Sequence, residues 1–81
     1  MNEEIYSKVK KLISAQLGVE EAEITAASHL QEDFNADPLS IADLIVGLET
    51  EFKIKIPKEQ IAASSTVEDI INFISDQTGE I

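Results

Sequence analysis

The sequence predicts an all-α fold, a four-helix bundle with a long loop after the first helix and a short third helix. Apolar residues recur every three to five positions along most of the chain, which is the spacing of one helix face. Residues that favour helix starts and stops flank these periodic segments. The 81 residues suit one domain, residues 1–81, with a core near the lower size at which a chain folds without disulfides or metals.

The first helix is predicted between Asn2, which can cap it, and Gly18, a residue typical of helix ends. Glu3 and Glu4 suit the positive end of its dipole. Its buried stripe is predicted to consist of Ile5, Val9, Leu12, Ile13 and Leu17.

Residues 19–36 are predicted to form a long connection after this helix. Eighteen residues without regular structure are unusual in so small a domain unless the segment is functional. The apolar anchors of the connection are Val19, Ile24, Leu30 and Phe34.

A second helix is predicted from about Pro38 to Glu51, with proline at a favoured first position. Gly47 inside it should cost about 1 kcal/mol relative to alanine, so it indicates either close packing or room for a ligand chain. The broad apolar face predicts the central, most buried helix and comprises Leu39, Ile41, Ala42, Ile45, Val46, Leu48 and Phe52.

The last third of the chain predicts a loop and two helices. Residues 53–56 alternate polar and apolar residues as a strand would, but Pro57 follows and fits the first position of a short third helix over 57–62. Ser65 or Thr66 caps the last helix, and Ser65 with Glu68 forms a capping-box pattern. Gly79 ends this helix, whose buried stripe is Val67, Ile70, Ile71 and Ile74.

The charge balance excludes several classes of function. Sixteen acids against six lysines give a net charge of −10, which argues against binding nucleic acid or an anionic membrane. All the lysines lie in 8–11 and 53–58, while the chain between Leu12 and Phe52 holds nine acids and no lysine. This distribution favours docking onto basic patches of partner proteins. The acidic start and the short apolar runs predict no secretory signal or membrane span. A cytoplasmic protein is therefore expected, or an organellar one if a targeting peptide has been removed.

Two other classes of site find less support. The lone His29 has no cysteine to pair with, and no pair of carboxylates stands out as acid and base, so an enzyme is not predicted. Asp33, Asn35 and Asp37 match the opening of an EF-hand, but Pro38 replaces the required glycine and the twelfth position is Leu44. No metal site is therefore predicted, although diffuse divalent binding by Glu32, Asp33 and Asp37 stays open.

Four segments at characteristic spacings resemble the acyl carrier protein family, and the resemblance covers nearly the whole chain. They are residues 32–39 (EDFNADPL), 48–52 (LETEF), 54–57 (IKIP) and 66–74 (TVEDIINFI). In that family a serine at the start of the second helix carries 4′-phosphopantetheine, whose thiol holds an acyl chain for fatty-acid or polyketide synthesis enzymes. The resemblance implies a monomeric, non-catalytic carrier whose partners include those enzymes and a phosphopantetheinyl transferase.

Carried over by position, the resemblance assigns roles to several residues of this chain. The prosthetic-group position is Pro38, flanked by Asp37 and Leu39. The residues implied in partner docking are Asp37, Asp43, Glu49 and Glu51. Candidates for lining an acyl pocket are Val46, Leu48, Phe52, Ile61 and Ile70.

The chain departs from the family pattern at the residue that matters most. Pro38 has no hydroxyl to attack coenzyme A, so the chain is predicted to stay in the apo form without the prosthetic group. Ser40 lies about 200° further around the helix and is not expected to substitute. Asn35 stands where the family has glycine, and Ser40 and Thr50 replace acids. The alternatives are a non-carrier acidic protein-interaction bundle and a weak divalent-cation binder.

Overall fold

The computed structural model describes residues 3–57, 61 and 65–79. Four α-helices follow one another in this part of the chain: α1 (Glu3–Leu17), α2 (Leu30–Phe34), α3 (Pro38–Phe52) and α4 (Val67–Thr78). A 3-10 turn, Glu21–Glu23, lies between α1 and α2. The described residues contain one isolated bridge and no strand, which confirms the predicted all-α class.

The helix ends follow local rules that the sequence carries. Gly18 ends α1 with a positive φ of 70°, and its N–H donates to the carbonyl of Ser14 at 3.0 Å. Gly79 ends α4 in the same left-handed region. The loop predicted over 53–56 is confirmed, since α3 ends at Phe52 and Lys53 takes the left-handed C-cap position. The predicted cap Asn2 lies outside the described residues.

The cap of α4 differs from the predicted pattern by one residue. Thr66 is the N-cap: its hydroxyl accepts the N–H of Asp69 at 3.1 Å, and the Asp69 carboxylate accepts the N–H of Thr66 at 3.1 Å. The capping box is therefore Thr66 with Asp69, and the box of Ser65 with Glu68 is wrong. Aspartate, with a side chain one methylene shorter than that of glutamate, closes the same reciprocal pair.

The long connection contains more regular structure than predicted. Residues 19–36 hold the 3-10 turn and α2, whose inward residues Leu30 and Phe34 are both buried. The short third helix predicted over 57–62 falls largely outside the described residues, of which Pro57 lies in no helix and Ile61 is buried. The predicted second helix corresponds to α3, and the predicted last helix corresponds to α4.

The core gathers apolar residues from every helix. The fully enclosed residues come from α1, α2, α3 and α4, and they are Val9, Ile13, Leu30, Leu44, Leu48, Val67, Ile70, Ile71 and Ile74. The predicted inward face of α3 is wrong at Leu39 and Val46, which are exposed, whereas Leu44 is buried. A β-carbon on Gly47 would meet the Leu12 side chain at 3.5 Å, an ordinary contact, so this glycine faces α1.

Backbone hydrogen bonds join the long connection to the start of α4. The N–H of Leu30 donates to Ser65 O, that of Val67 to Ser28 O and that of Glu68 to Ala26 O, at 2.9–3.1 Å. These bonds fix α2, and hence the residues that lead into α3, against α4. None of the described helices is both long and apolar enough to cross a bilayer.

We predict that Thr66→Ala lowers the free energy of unfolding by about 1 kcal/mol, because it removes the side-chain acceptor of the capping box. Urea denaturation followed by circular dichroism measures the loss. Thr78→Ala is the matched control, since the exposed Thr78 hydroxyl makes only a 3.4 Å bond to Ser75 O at the helix end. Equal effects of the two substitutions would contradict the assigned cap.

Candidate functional site

The candidate site is the start of α3, where the resemblance places the prosthetic group. Asp37 is the N-cap, and its Oδ1 accepts the N–H of Ser40 at 2.7 Å. Pro38 follows at the first helical position, exposed to solvent. Proline needs no hydrogen-bond donor there and its fixed φ suits a helix, so Asp37 and Pro38 together define where α3 begins.

The charged form of the Asp37 carboxylate is favoured at this position. The N–H of Ser40 lowers the pKa of Asp37 below its ordinary value of 3.8, and the Ser40 hydroxyl lowers the pKa further. The first turn of a helix favours negative charge for the same reason, because its free N–H groups point toward it. Asp37 is therefore ionised at neutral pH and fixed beside position 38.

The loop before Asp37 is shaped by the end of α2. Asn35 has a φ of 55°, the left-handed conformation that closes α2, and its N–H donates to Gln31 O at 2.9 Å. Asparagine tolerates this region better than most residues, which explains how it can stand where the family has glycine. Ala36 is buried and its N–H bonds Leu30 O at 3.1 Å.

The residues of the EF-hand-like motif lie at helix ends, and its two aspartates accept backbone N–H groups there. Asp33 Oδ2 accepts the N–H of His29 at 2.6 Å and lies 3.7 Å from its Nδ1. Asn35 closes α2 and Asp37 caps α3. Within the described part of the chain, no group of three metal-ligating side chains is assembled. The half-exposed His29 is therefore the residue that precedes α2, where its backbone N–H is bonded to Asp33.

The residue at position 38, a proline, does not fit the chemistry of 4′-phosphopantetheine attachment. The family requires a hydroxyl oxygen, and Pro38 offers only ring methylenes. Ser40 carries the nearest hydroxyl in sequence, but it contributes to holding the Asp37 carboxylate and lies two residues further along α3. No attachment chemistry is therefore available at the family position.

The exposed face of α3 combines apolar and acidic side chains. Leu39 and Val46 are 71% and 60% exposed, the large apolar residues most open to solvent among those described. Their spacing of seven residues places them on one side of the helix, with Asp43 between them at the i+4 position. We call Leu39, Asp43 and Val46 the docking face. The seven-residue spacing of Leu39 and Val46 shows in the sequence that they share one helix face, but their hydrophobicity predicts that this face is buried.

The four predicted docking carboxylates have different partners. Asp37 caps α3, as described above. Glu49 is half-buried and its Oε2 accepts the N–H of Ile56 at 2.8 Å. Glu51 lies 3.7 Å from Lys8 Nζ, which also lies 3.7 Å from Glu4. Among the described residues, Asp43 has no such partner, so its charge is the most available for a new contact.

The predicted acyl-pocket residues are brought together only in part. Leu48, Ile61 and Ile70 belong to the closed core, and Phe52 packs at its edge with Lys8 Nζ 5.8 Å from its ring centroid. Val46 lies at the surface, apart from the other four candidates. A cavity of about 330 Å³ between α1 and α3 is lined by other residues, namely Lys8, Lys11, Leu12 and Glu51.

Comparisons with known proteins match nearly the whole chain. Residues 7–74 match the family model described as "Phosphopantetheine attachment site". The chain is 42% identical over 77 residues to the acyl carrier protein of Thermotoga maritima, covering 95% of each chain. It is 46% identical over 78 residues to that of Borreliella burgdorferi, covering 96% of this chain and 98% of the relative. It is 41% identical over 76 residues to that of Clostridium acetobutylicum, covering 94% and 99%.

We predict a pH dependence at the start of α3 that arises from Asp37. Because the folded-state pKa lies below the ordinary value of 3.8, the stabilisation is complete above that value and is lost as the pH falls through the lower folded pKa. An NMR titration of the Ser40 amide measures it. Asp37→Asn keeps an oxygen that can cap the helix but cannot titrate, so its Ser40 amide should show no such transition. A transition that persists in this variant would contradict the assignment to Asp37.

Proposed function

The chain belongs to the acyl carrier protein family, and from that premise we propose that it is a non-loadable, apo-only member that keeps the partner-docking surface. Proteins of this family are carriers and not enzymes, and the chain is likewise no enzyme. The observation that carries the proposal is the proline at the attachment position, set in an intact helix start and an intact core.

The chemistry of position 38 supports the absence of the prosthetic group. Attachment forms a phosphodiester between a hydroxyl oxygen of the protein and the phosphate of the pantetheine arm. The Pro38 nitrogen is bound in the peptide amide and its ring carbons are saturated, so neither can form that bond. Asp37 and Leu39 still flank the position, as they do in the family pattern.

The docking face supports the retained interaction. Leu39 and Val46 would be covered by a partner, which removes their apolar surface from water, while Asp43 would meet a basic side chain. Asp37, Glu49 and Glu51 add to the negative field around this face even though each also has a partner within the chain. Association should be fast and weak and should slow with added salt.

The partners that fit this surface are proteins with basic patches. We propose that they are the fatty-acid or polyketide synthesis enzymes and the phosphopantetheinyl transferase that serve the family, met by a monomer in the cytoplasm. A chain that can dock but not receive the arm would occupy such an enzyme without completing a transfer. Its physiological effect would then be competition with loadable carriers.

The loading state is tested by intact-protein mass spectrometry after incubation with coenzyme A and a promiscuous phosphopantetheinyl transferase. The wild-type mass is expected to stay unchanged, and Pro38→Ser is expected to gain one phosphopantetheine because it supplies the hydroxyl. The double variant Pro38→Ser, Ser40→Ala should load equally well. Modification of the wild-type chain at any residue would overturn the apo-only proposal.

The docking face is tested by binding to the same transferase in surface plasmon resonance. Asp43→Asn should weaken binding about two- to fivefold at low salt, since an exposed ion pair contributes about 0–1 kcal/mol. The matched control is Asp76→Asn, which removes the same charge from an exposed position on α4. If both variants bind equally, net charge and not the docking face governs the interaction.

A further inference from the structure

Glu49 makes a hydrogen bond that the other α3 carboxylates do not. It lies one turn before the end of α3, is half-buried, and accepts the N–H of Ile56 with its Oε2 at 2.8 Å. The partner is a backbone group seven residues further along the chain. The backbone carbonyl of Glu49 accepts the N–H groups of Lys53 and Ile54, the latter at 3.2 Å.

We propose that Glu49 is a positioning residue, a latch whose side chain holds residues 53–56 against the end of α3 and so fixes the edge of the docking surface. The carboxylate would then have two separable properties. Its negative charge adds to the field that attracts a basic partner. Its oxygen acts as the acceptor that orders the loop. The second property follows from the hydrogen bond between Glu49 and Ile56. Its consequence for docking rests on the proposed function.

The sequence of the loop explains why a side-chain acceptor is needed. Lys53 turns the chain out of α3 with a φ of 55°, and residues 54–57 have no regular structure. Pro57 disfavours a helical conformation for Ile56, and Ile56 lies outside the helices, so its N–H has no partner in a helical turn. Pro57 itself has no N–H to donate. Glu49 therefore satisfies the last backbone donor before residue 58.

Burial makes this hydrogen bond significant for the position of the loop. The Ile56 side chain is 4% exposed and belongs to the core, and Ile54 packs against the core from outside. An unsatisfied backbone donor at such a site carries a desolvation cost, so the loop and the Glu49 side chain are coupled. Removing the acceptor should loosen residues 54–56 before the rest of the bundle.

The latch bears on docking because the loop carries positive charge. Lys53 and Lys55 are both exposed and follow directly after the last acid of α3, Glu51. A basic partner is attracted by the carboxylates of α3 and repelled by these two lysines. Where the loop is held therefore sets the boundary of the negative surface and the orientation in which a partner can approach.

Glu51 provides the contrast within the same helix. Its carboxylate has a similar charge and lies two residues away, but it pairs with Lys8 of α1 and is bonded to no group of the loop within the described residues. Substitutions at Glu51 therefore change the charge of α3 without removing the acceptor of Ile56. They serve as matched controls for substitutions at Glu49.

Amide hydrogen exchange of Ile56 in the free protein tests the latch without a partner. Glu49→Asp keeps the charge but shortens the side chain, and Glu49→Gln removes the charge but keeps an oxygen acceptor at full reach. Exchange should accelerate on the order of 10-fold or more in Glu49→Asp and less than about 10-fold in Glu49→Gln, as for a lost and a weakened hydrogen bond. Glu51→Asp and Glu51→Gln should leave Ile56 exchange unchanged. Equal acceleration in both Glu49 variants, or none beyond the Glu51 controls, would overturn the latch.

Binding of the same four variants to a phosphopantetheinyl transferase tests the consequence for docking. Glu49→Gln and Glu51→Gln should weaken binding to a similar extent through lost charge, whereas Glu49→Asp should weaken it about twofold or more relative to Glu51→Asp. Equal binding by the two aspartate variants would overturn the positioning role. Failure of the wild-type chain itself to bind would count against the proposed function, while the exchange rates would still decide the latch.

Discussion

The packing of α3 against α1 is the contact on which the rest of the molecule depends. Leu44 and Leu48 on one side and Val9 and Ile13 on the other are all enclosed in the core. Because successive turns of a helix repeat every 3.6 residues, burying this stripe forces Leu39, Asp43 and Val46 into solvent. The same contact that stabilises the bundle therefore determines which side chains of α3 are exposed.

The start of α3 meets the requirements of helix formation but not those of the attachment reaction. Asp37 and Pro38 form a favourable helix start, because proline at the first helical position needs no hydrogen-bond donor and has a fixed φ that suits a helix. Selection for folding alone would tolerate or favour this proline. The attachment reaction depends on a single oxygen that contributes nothing to the cap. Loss of the oxygen can thus leave the fold, the anionic surface and the family signature intact.

Local sequence patterns predicted most of the helices because each signal involved neighbouring residues. The stripe of α4 and the glycine stops of α1 and α4 could be read directly. The five-residue helix α2 was missed because one apolar pair, Leu30 and Phe34, is too short a repeat to establish periodicity. The capping box was displaced by one residue since Ser65–Glu68 and Thr66–Asp69 satisfy the same pattern equally well.

Non-local contacts account for what the sequence did not reveal at the site. The pairing of Glu51 with Lys8 depends on the way α1 lies beside α3, and the bond from Glu49 to Ile56 depends on the turn at Lys53. Four carboxylates that look alike in the sequence thus differ in availability. Val46 was assigned to the core because its hydrophobicity was read without the direction in which the α1 contact turns the helix.

These differences separate the carboxylates of a small acidic chain by their contacts within the fold. A net charge of −10 spread evenly would attract any basic protein and favour no orientation. Here the carboxylates of Asp37, Glu49 and Glu51 contact a helix start, a loop and a lysine, respectively, whereas Asp43 has no such partner among the described residues. The lysines lie in 8–11 and 53–58, so the positive charge is not spread evenly along the chain either. Under the proposed function, the arrangement of charge within the fold would therefore set the orientation of a docked partner, and the total charge would mainly govern the rate of association.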